Sequence, residues 1–326
     1  MSGRYEPQPQ LAGSEQGGSP DGRGAVRMVP EEEVRSYYGR PVLKEPVWTW
    51  EVPLYLFAGG MAGGSSLLSL AARAGGNHTL ARRALLVALG GATVSPVLLI
   101  SDLGRPERFY EMLRVFKPTS PMNLGTWVLS AFGATTGAAV AGDILGIFPR
   151  ATRLSEVASA VLGPALSTYT AVLISDTSVP VWHAARRELP FVFAASSMAS
   201  AGAAAAILTS PEDAAPARRL TVGAALVELG LTEVMKRRLG DLVAEPYERE
   251  EAGRLDKLSK SSTTVGAALM ALAGRRRPAA VAGGALILAG AVLERWAVFR
   301  AGFQSARDPK YTVVPQRERL RDREGA

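Results

Sequence analysis

What most constrains this chain is the spacing of its charges. Between residue 51 and about residue 300 they cluster in short punctuations, separated by apolar blocks as long as a bilayer is thick. Val52–Ala72, Ala84–Ser101, Leu124–Gly142, Val157–Ser175 and Leu189–Ser210 carry no charge. About 20 residues at about 1.5 Å each cross a hydrocarbon core about 30 Å thick. A core helix of a soluble domain would place a polar residue every turn, and these blocks do not. Three further blocks follow: Leu220–Met235, which contains Glu228 and Glu233; the short Ser261–Gly274, whose length also suits a re-entrant or interfacial segment; and Pro278–Leu293. The expected fold is therefore all-α, a polytopic transmembrane bundle of about eight helices.

Composition refines this reading. Mean hydropathy is only +0.10 because greasy spans are averaged with polar flanks. Residues 1–45 are rich in Gly, Ser, Pro and charge, and are expected to be a disordered tail. Residues 46–303 form the bundle, and residues 304–326, with six Lys or Arg between Arg307 and Arg323, a charged tail unable to bury enough apolar area to fold. The first apolar block follows a long polar stretch and has full spanning length, so it reads as a span and not as a cleavable signal peptide. Gly, Ala and Ser crowd the spans, as in Gly59–Ser66 and Ser196–Ala206, which lets helix backbones approach closely. With no cysteine, the chain offers no disulfide, thiolate metal site or iron–sulfur ligand. Its two histidines, His78 and His183, both fall at loops, which argues against a bis-histidine haem. The net charge of +7 resides in the flanks and needs no nucleic-acid partner. Odd-numbered connections are short and basic (Arg82 and Arg83; Arg150 and Arg153; Arg218 and Arg219; Arg275 to Arg277), which places them inside and both termini outside a cell membrane.

Ionisable groups at membrane depth are costly and tend to sit on a pathway, at a cofactor or in a pair. Glu51 and Tyr55 lie one turn apart where the first span begins, after Trp48 and Trp50; they form either an interfacial anchor or part of a site. Asp102 closes the second span and precedes Arg105, with which it could pair. Tyr169 needs a hydrogen-bond partner inside the fourth span. Asp176 follows it by two turns, and His183 lies in the loop returning to the same side, where it could exchange protons. Glu228 and Glu233 do not share a helix face, so one of them faces a cavity or a neighbouring helix. Glu294 and Arg295 could pair with such groups.

These residues fall in stretches that resemble the NrfD/polysulfide reductase membrane-subunit family: Trp50–Gly64 (WEVPLYLFAGGMAGG), Asp102–Phe109 (DLGRPERF), Ser120–Trp127 (SPMNLGTW), Tyr169–Ser175 (YTAVLIS), Val179–Trp182 (VPVW), and a last helix with Gly283, Gly284 and Arg295. The similarity runs roughly from residue 46 to residue 303. The resemblance implies a membrane anchor that binds menaquinone or ubiquinone and docks an iron–sulfur electron-transfer subunit, itself joined to a molybdopterin-type catalytic subunit. It implies that Glu51, Tyr55 and Tyr169 border the quinone. Asp102, Arg105, Asp176, His183, Glu228 and Glu233 are then either structural or on a proton path. No metal or haem is expected in this chain, nor a catalytic residue of a complete enzyme. Two other readings compete: an ion or proton transporter built on the embedded carboxylates, and a structural anchor without a quinone site.

Overall fold

The computed structural model describes residues 42–324. The expected disordered tail lies outside these residues except for its last few positions. Eight long helices cross back and forth: α1 (Glu51–Ala74), α2 (His78–Ser101), α3 (Pro121–Leu145), α4 (Pro149–Ser175), α6 (Leu189–Leu208), α7 (Ala215–Ala244), α8 (Glu250–Leu272) and α9 (Arg277–Arg307). A short α5 (Pro180–Ala184) lies between α4 and α6, a 3-10 helix (Pro106–Leu113) between α2 and α3, and α10 (Lys310–Glu324) follows α9. The chain is a multi-pass helical membrane bundle. Six of the helices, α1 to α4, α6 and α9, are long and apolar enough to cross a membrane by length and composition. The sixth and seventh blocks lie within longer helices: α7, which carries charges at both ends, and α8, which carries them in its first half; α9 runs well past Leu293 to Arg307.

Short connections make successive helices antiparallel. One face of the bundle, the near face, holds residues 42–50, the α2–α3 loop, α5, the α7–α8 turn and α10. The far face holds the tight turns between α1 and α2, α3 and α4, α6 and α7, and α8 and α9. Local signals set the boundaries. Asn77 caps α2 by accepting from the Leu80 N–H at 3.0 Å. Proline opens α3, α4, α6, α7 and α9, where its missing N–H costs nothing. Gly146 ends α3 in the left-handed region at φ 67°.

Helix α1 is the hub, packed on α2, α4, α6 and α9. Gly63 lies on the backbone of Gly163 in α4, and a Cβ on either would meet the other's carbonyl. On the adjoining face, Gly64 lies against Ser197 of α6, where a Cβ would come 2.8 Å from the carbonyl oxygen. Lipid tails are as apolar as leucine, so such close packing and the polar contacts it permits hold the helices together.

At the far end of α1 to α4 an ionic cluster ties four helices. Glu156 of α4 is 3 % exposed; it accepts from Ser69 at 2.8 Å and pairs with Arg73 of α1 at 2.8 Å. Arg73 also reaches Asp143 of α3 at 3.2 Å, and Arg82 of α2 reaches Asp143 at 3.3 Å. Removing one member of such a buried pair strands the other. Glu156→Ala is therefore expected to cost about 3 kcal/mol or more, whereas Arg82→Ala, at the exposed end, should cost less than about 1 kcal/mol. Thermal unfolding of the purified variants in detergent measures both.

The C-terminal segment departs from the expectation of an unfolded tail. Residues Lys310–Glu324 are helical, and the helix is anchored at its first turn: Lys310 pairs with Glu245 at 2.8 Å, and the Tyr311 hydroxyl donates to the same carboxylate at 3.1 Å. The reason is local: Arg, Lys, Gln and Glu are good helix formers even where little apolar area is buried. The hydrogen bond from Lys310 holds the Glu245 carboxyl below its usual range. A depressed folded value means that the contact is complete above the ordinary glutamate value of about 4.3 and is lost as pH falls through the folded value. Amide exchange at Lys310–Val313 should rise on acidification to that point while the spans stay protected.

Candidate functional site

The near end of the α1–α4 quartet brings two phenols together. Tyr55 projects from the second turn of α1 and is 2 % exposed; Tyr169 comes from α4, and the two rings stand beside each other. The Tyr55 hydroxyl has no hydrogen-bond partner of proper geometry, which is a costly state for a buried donor. Val52, Leu129, Phe132 and Leu166 belong to the same buried apolar cluster as the pair. On the α3 side the Tyr169 ring lies against Gly125, where any Cβ would overlap it. Gly125→Ala is therefore expected to displace the ring and destabilise the bundle by about 1–3 kcal/mol. At Gly133 of the same helix, open space surrounds the Cβ position, so Gly133→Ala should be neutral or slightly stabilising in the same melts.

Above the phenols, at the membrane boundary, Glu51 and Asp102 converge on one hydroxyl. The Thr49 side chain contacts the Glu51 carboxylate and donates to Asp102 at 2.8 Å. A hydroxyl has one hydrogen, so it serves one carboxylate as donor at a time. The three groups thus meet at the water boundary and straddle the ends of α1 and α2. Sequence reading paired Asp102 with Arg105 instead; Arg105 is exposed and, among the described residues, makes no ion pair.

The loop between α2 and α3 is held by Asn123. Its amide accepts from the Lys117 N–H at 2.6 Å and donates to the carbonyls of Met112 and Val115 at 2.9 and 2.8 Å. The loop leaves Phe109, Tyr110, Val115 and Phe116 exposed on the near face. Beside it, Trp182 of α5 is fully buried, donates to the Val298 carbonyl at 2.7 Å, and stacks on Trp48 at 5.5 Å. That stack guides the chain into α1 just before Glu51.

The remaining sequence candidates separate. Asp176 caps the end of α4 in a non-helical conformation and is exposed, so it does not continue the buried face of Tyr169. His183 is also exposed. Glu233 is exposed and bound to Arg237 at 3.1 Å, with Lys260 at 3.8 Å. Glu228 is 3 % exposed and lies within electrostatic reach of Arg295, which is 2 % exposed. Arg295 pairs with Glu294, covers the Phe193 ring at 3.7 Å and donates to the Phe193 carbonyl at 3.2 Å. Two carboxyls thus share one guanidinium, with Ser196 beside Glu228 and, near the Arg295 guanidinium, the Ser197 hydroxyl, which has no hydrogen-bond partner among the described residues.

Sequence reading missed Thr49, Glu156 with Arg73 and Asp143, and the pair Lys236–Asp256, which meets at 2.5 Å. Ser69 and Arg73, one turn apart at the end of the first span, were the available signal for a polar partner there. An apolar cavity of about 730 Å³, lined by Phe57, Met61, Gly91, Ile207 and Leu293 among others, opens elsewhere on α1 and does not include the phenols. Among the described residues no cluster of three or more His, Asp or Glu is arranged to hold a metal.

The family described as polysulfide reductase matches residues 34–307, most of the chain. Among curated proteins, Protein NrfD of Escherichia coli (strain K12) is 28 % identical over 92 residues, which cover 26 % of this chain and 29 % of that protein. The matched stretch is thus under a third of that relative's length.

Proposed function

The chain belongs to the polysulfide reductase family, of NrfD type, and from that premise we propose that it is the quinone-reactive membrane subunit of a respiratory oxidoreductase. It carries electrons between the quinone pool, menaquinone or ubiquinone, and an iron–sulfur subunit that serves a molybdopterin-type catalytic subunit. The observation that carries this reading is the buried pair Tyr55 and Tyr169, with an unpartnered hydroxyl, placed directly under the Thr49–Glu51–Asp102 cluster.

The residues fit such a ligand. A quinone supplies two-electron chemistry coupled to two protons, and its ring oxygens need hydrogen-bond donors. Tyr169 and Tyr55 offer phenolic hydroxyls at the depth of the first turns of the span. Glu51, one turn above Tyr55, exchanges a proton with the near-face water through Thr49 and Asp102. The apolar wall of Leu129, Phe132 and Leu166 excludes water from the ring. The exposed aromatic loop between α2 and α3 supports docking of the iron–sulfur partner on the near face, with the termini extracytoplasmic in the plasma membrane.

Tyr169→Phe and Glu51→Gln remove one polar group each at nearly constant volume. Both variants should assemble normally and lose quinol-linked turnover by about tenfold or more, the scale of one lost hydrogen bond to a charged or reacting group. Full turnover in both would discard these site residues. The wider reading is tested by mild-detergent purification with mass spectrometry of bound chains and extraction of quinone: an iron–sulfur protein with quinone is expected. A quinone-free single chain would instead favour a proton transporter, for which the Glu228–Arg295–Glu294 cluster within the bundle is the supporting observation.

A further inference from the structure

At the far face, α7 and α8 do not close on each other. Their near halves are clamped by Lys236–Asp256 at 2.5 Å and by Lys260 to Glu233 at 3.8 Å. Towards the far face they leave a cavity of about 870 Å³ between the start of α7 and the end of α8. Its polar rim is Arg218, Arg219 and Arg275, and its apolar floor is Val222, Met270 and Ala271. Arg218 is fixed, donating to the Pro211 carbonyl at 2.5 Å. Arg219 and Arg275 are exposed and have no ion-pair partner among the described residues; Glu212 also lines the rim without pairing to any of the three. Helix α7 begins here with no side-chain cap, which leaves the positive end of its dipole at the rim.

We propose that this cavity binds the phosphodiester headgroup of an anionic phospholipid from the far-face leaflet. Three guanidiniums and a helix start with one carboxylate on the rim leave a net positive, bidentate-capable site for phosphate oxygens. Its surroundings decide between a lipid and a free phosphate. The two helices that hold it also expose apolar side chains, Leu226 on α7 and Val265 and Leu272 on α8, the last 89 % exposed. Acyl chains cover that surface; a soluble anion leaves it bare. The site is independent of the quinone reading.

The test uses the full-length chain, purified and delipidated, with binding of phosphatidylglycerol, cardiolipin and phosphatidylcholine measured by native mass spectrometry and in nanodiscs. Anionic lipid should bind at least about tenfold more tightly than phosphatidylcholine. The double variant Arg219→Gln/Arg275→Gln should weaken anionic lipid by about thirtyfold, two basic contacts' worth, with an unchanged melt because neither arginine holds the fold. Arg83→Gln, an exposed far-face arginine outside the cavity, should leave binding unchanged. Equal binding of phosphatidylcholine, or an equal loss in Arg83→Gln, would overturn the proposal. So would displacement of the lipid by millimolar inorganic phosphate, since that outcome describes a free-anion pocket.

Discussion

The bundle depends on how closely α1 can be approached. Its glycines present two adjoining faces, one that accepts the backbone of α4 at Gly163 and another that accepts α6 at Ser197. In a bilayer nothing expels these helices from solvent towards each other, so contact distance decides whether dispersion and carbonyl contacts hold them. The consequences reach the site. With α4 held on α1 at Gly63, Tyr169 stands next to Tyr55 one and a half to two turns nearer the near face. A side chain inserted at the crossing would part the phenols along with the helices.

Polar groups inside this protein are arranged in layers. At the near end Thr49, Glu51 and Asp102 meet at the water boundary; at the far end Glu156, Arg73 and Asp143 join the same four helices. Between these ends, on the α6, α7 and α9 side, Glu228, Glu294 and Arg295 meet. The far-end layer and the one around Arg295 mix signs, which is what makes charge tolerable at low dielectric; the near-end carboxylates sit at the water boundary instead. The layers differ in their satisfaction. The far-end cluster has several partners for each carboxylate and reads as structural. Among the described residues, the near-end Tyr55 phenol and the Ser197 hydroxyl near Arg295 keep buried hydroxyls without partners of proper geometry, a state that folding alone does not favour.

Much of this was legible from the chain. Uncharged blocks of about 20 residues located α1 to α4 and α6, because the bilayer imposes a length and a composition together. The burial of Glu228 against the exposure of Glu233 follows from their five-residue offset on a helix. Tyr55 and Tyr169, by contrast, were brought together by resemblance and not by spacing, since no local rule sets which turn of α4 meets which turn of α1. The extents of α7 and α8 escaped notice because Lys236, Asp256 and Lys260 read as loop charges; their pairing across two helices is a tertiary fact. The pairing of Asp102 with Thr49 in place of Arg105 depends on the entry angle of residues 42–50, which the Trp48–Trp182 stack fixes from the middle of the chain.

The clamp between α7 and α8 also makes the two helices interdependent. Lys236 and Asp256 cancel each other only when both helices are present and antiparallel. The turn around Glu245–Tyr247 therefore joins two segments whose charges each need the other, so that a change freeing either partner burdens both helices at once and the pair behaves as a single unit against the rest of the bundle.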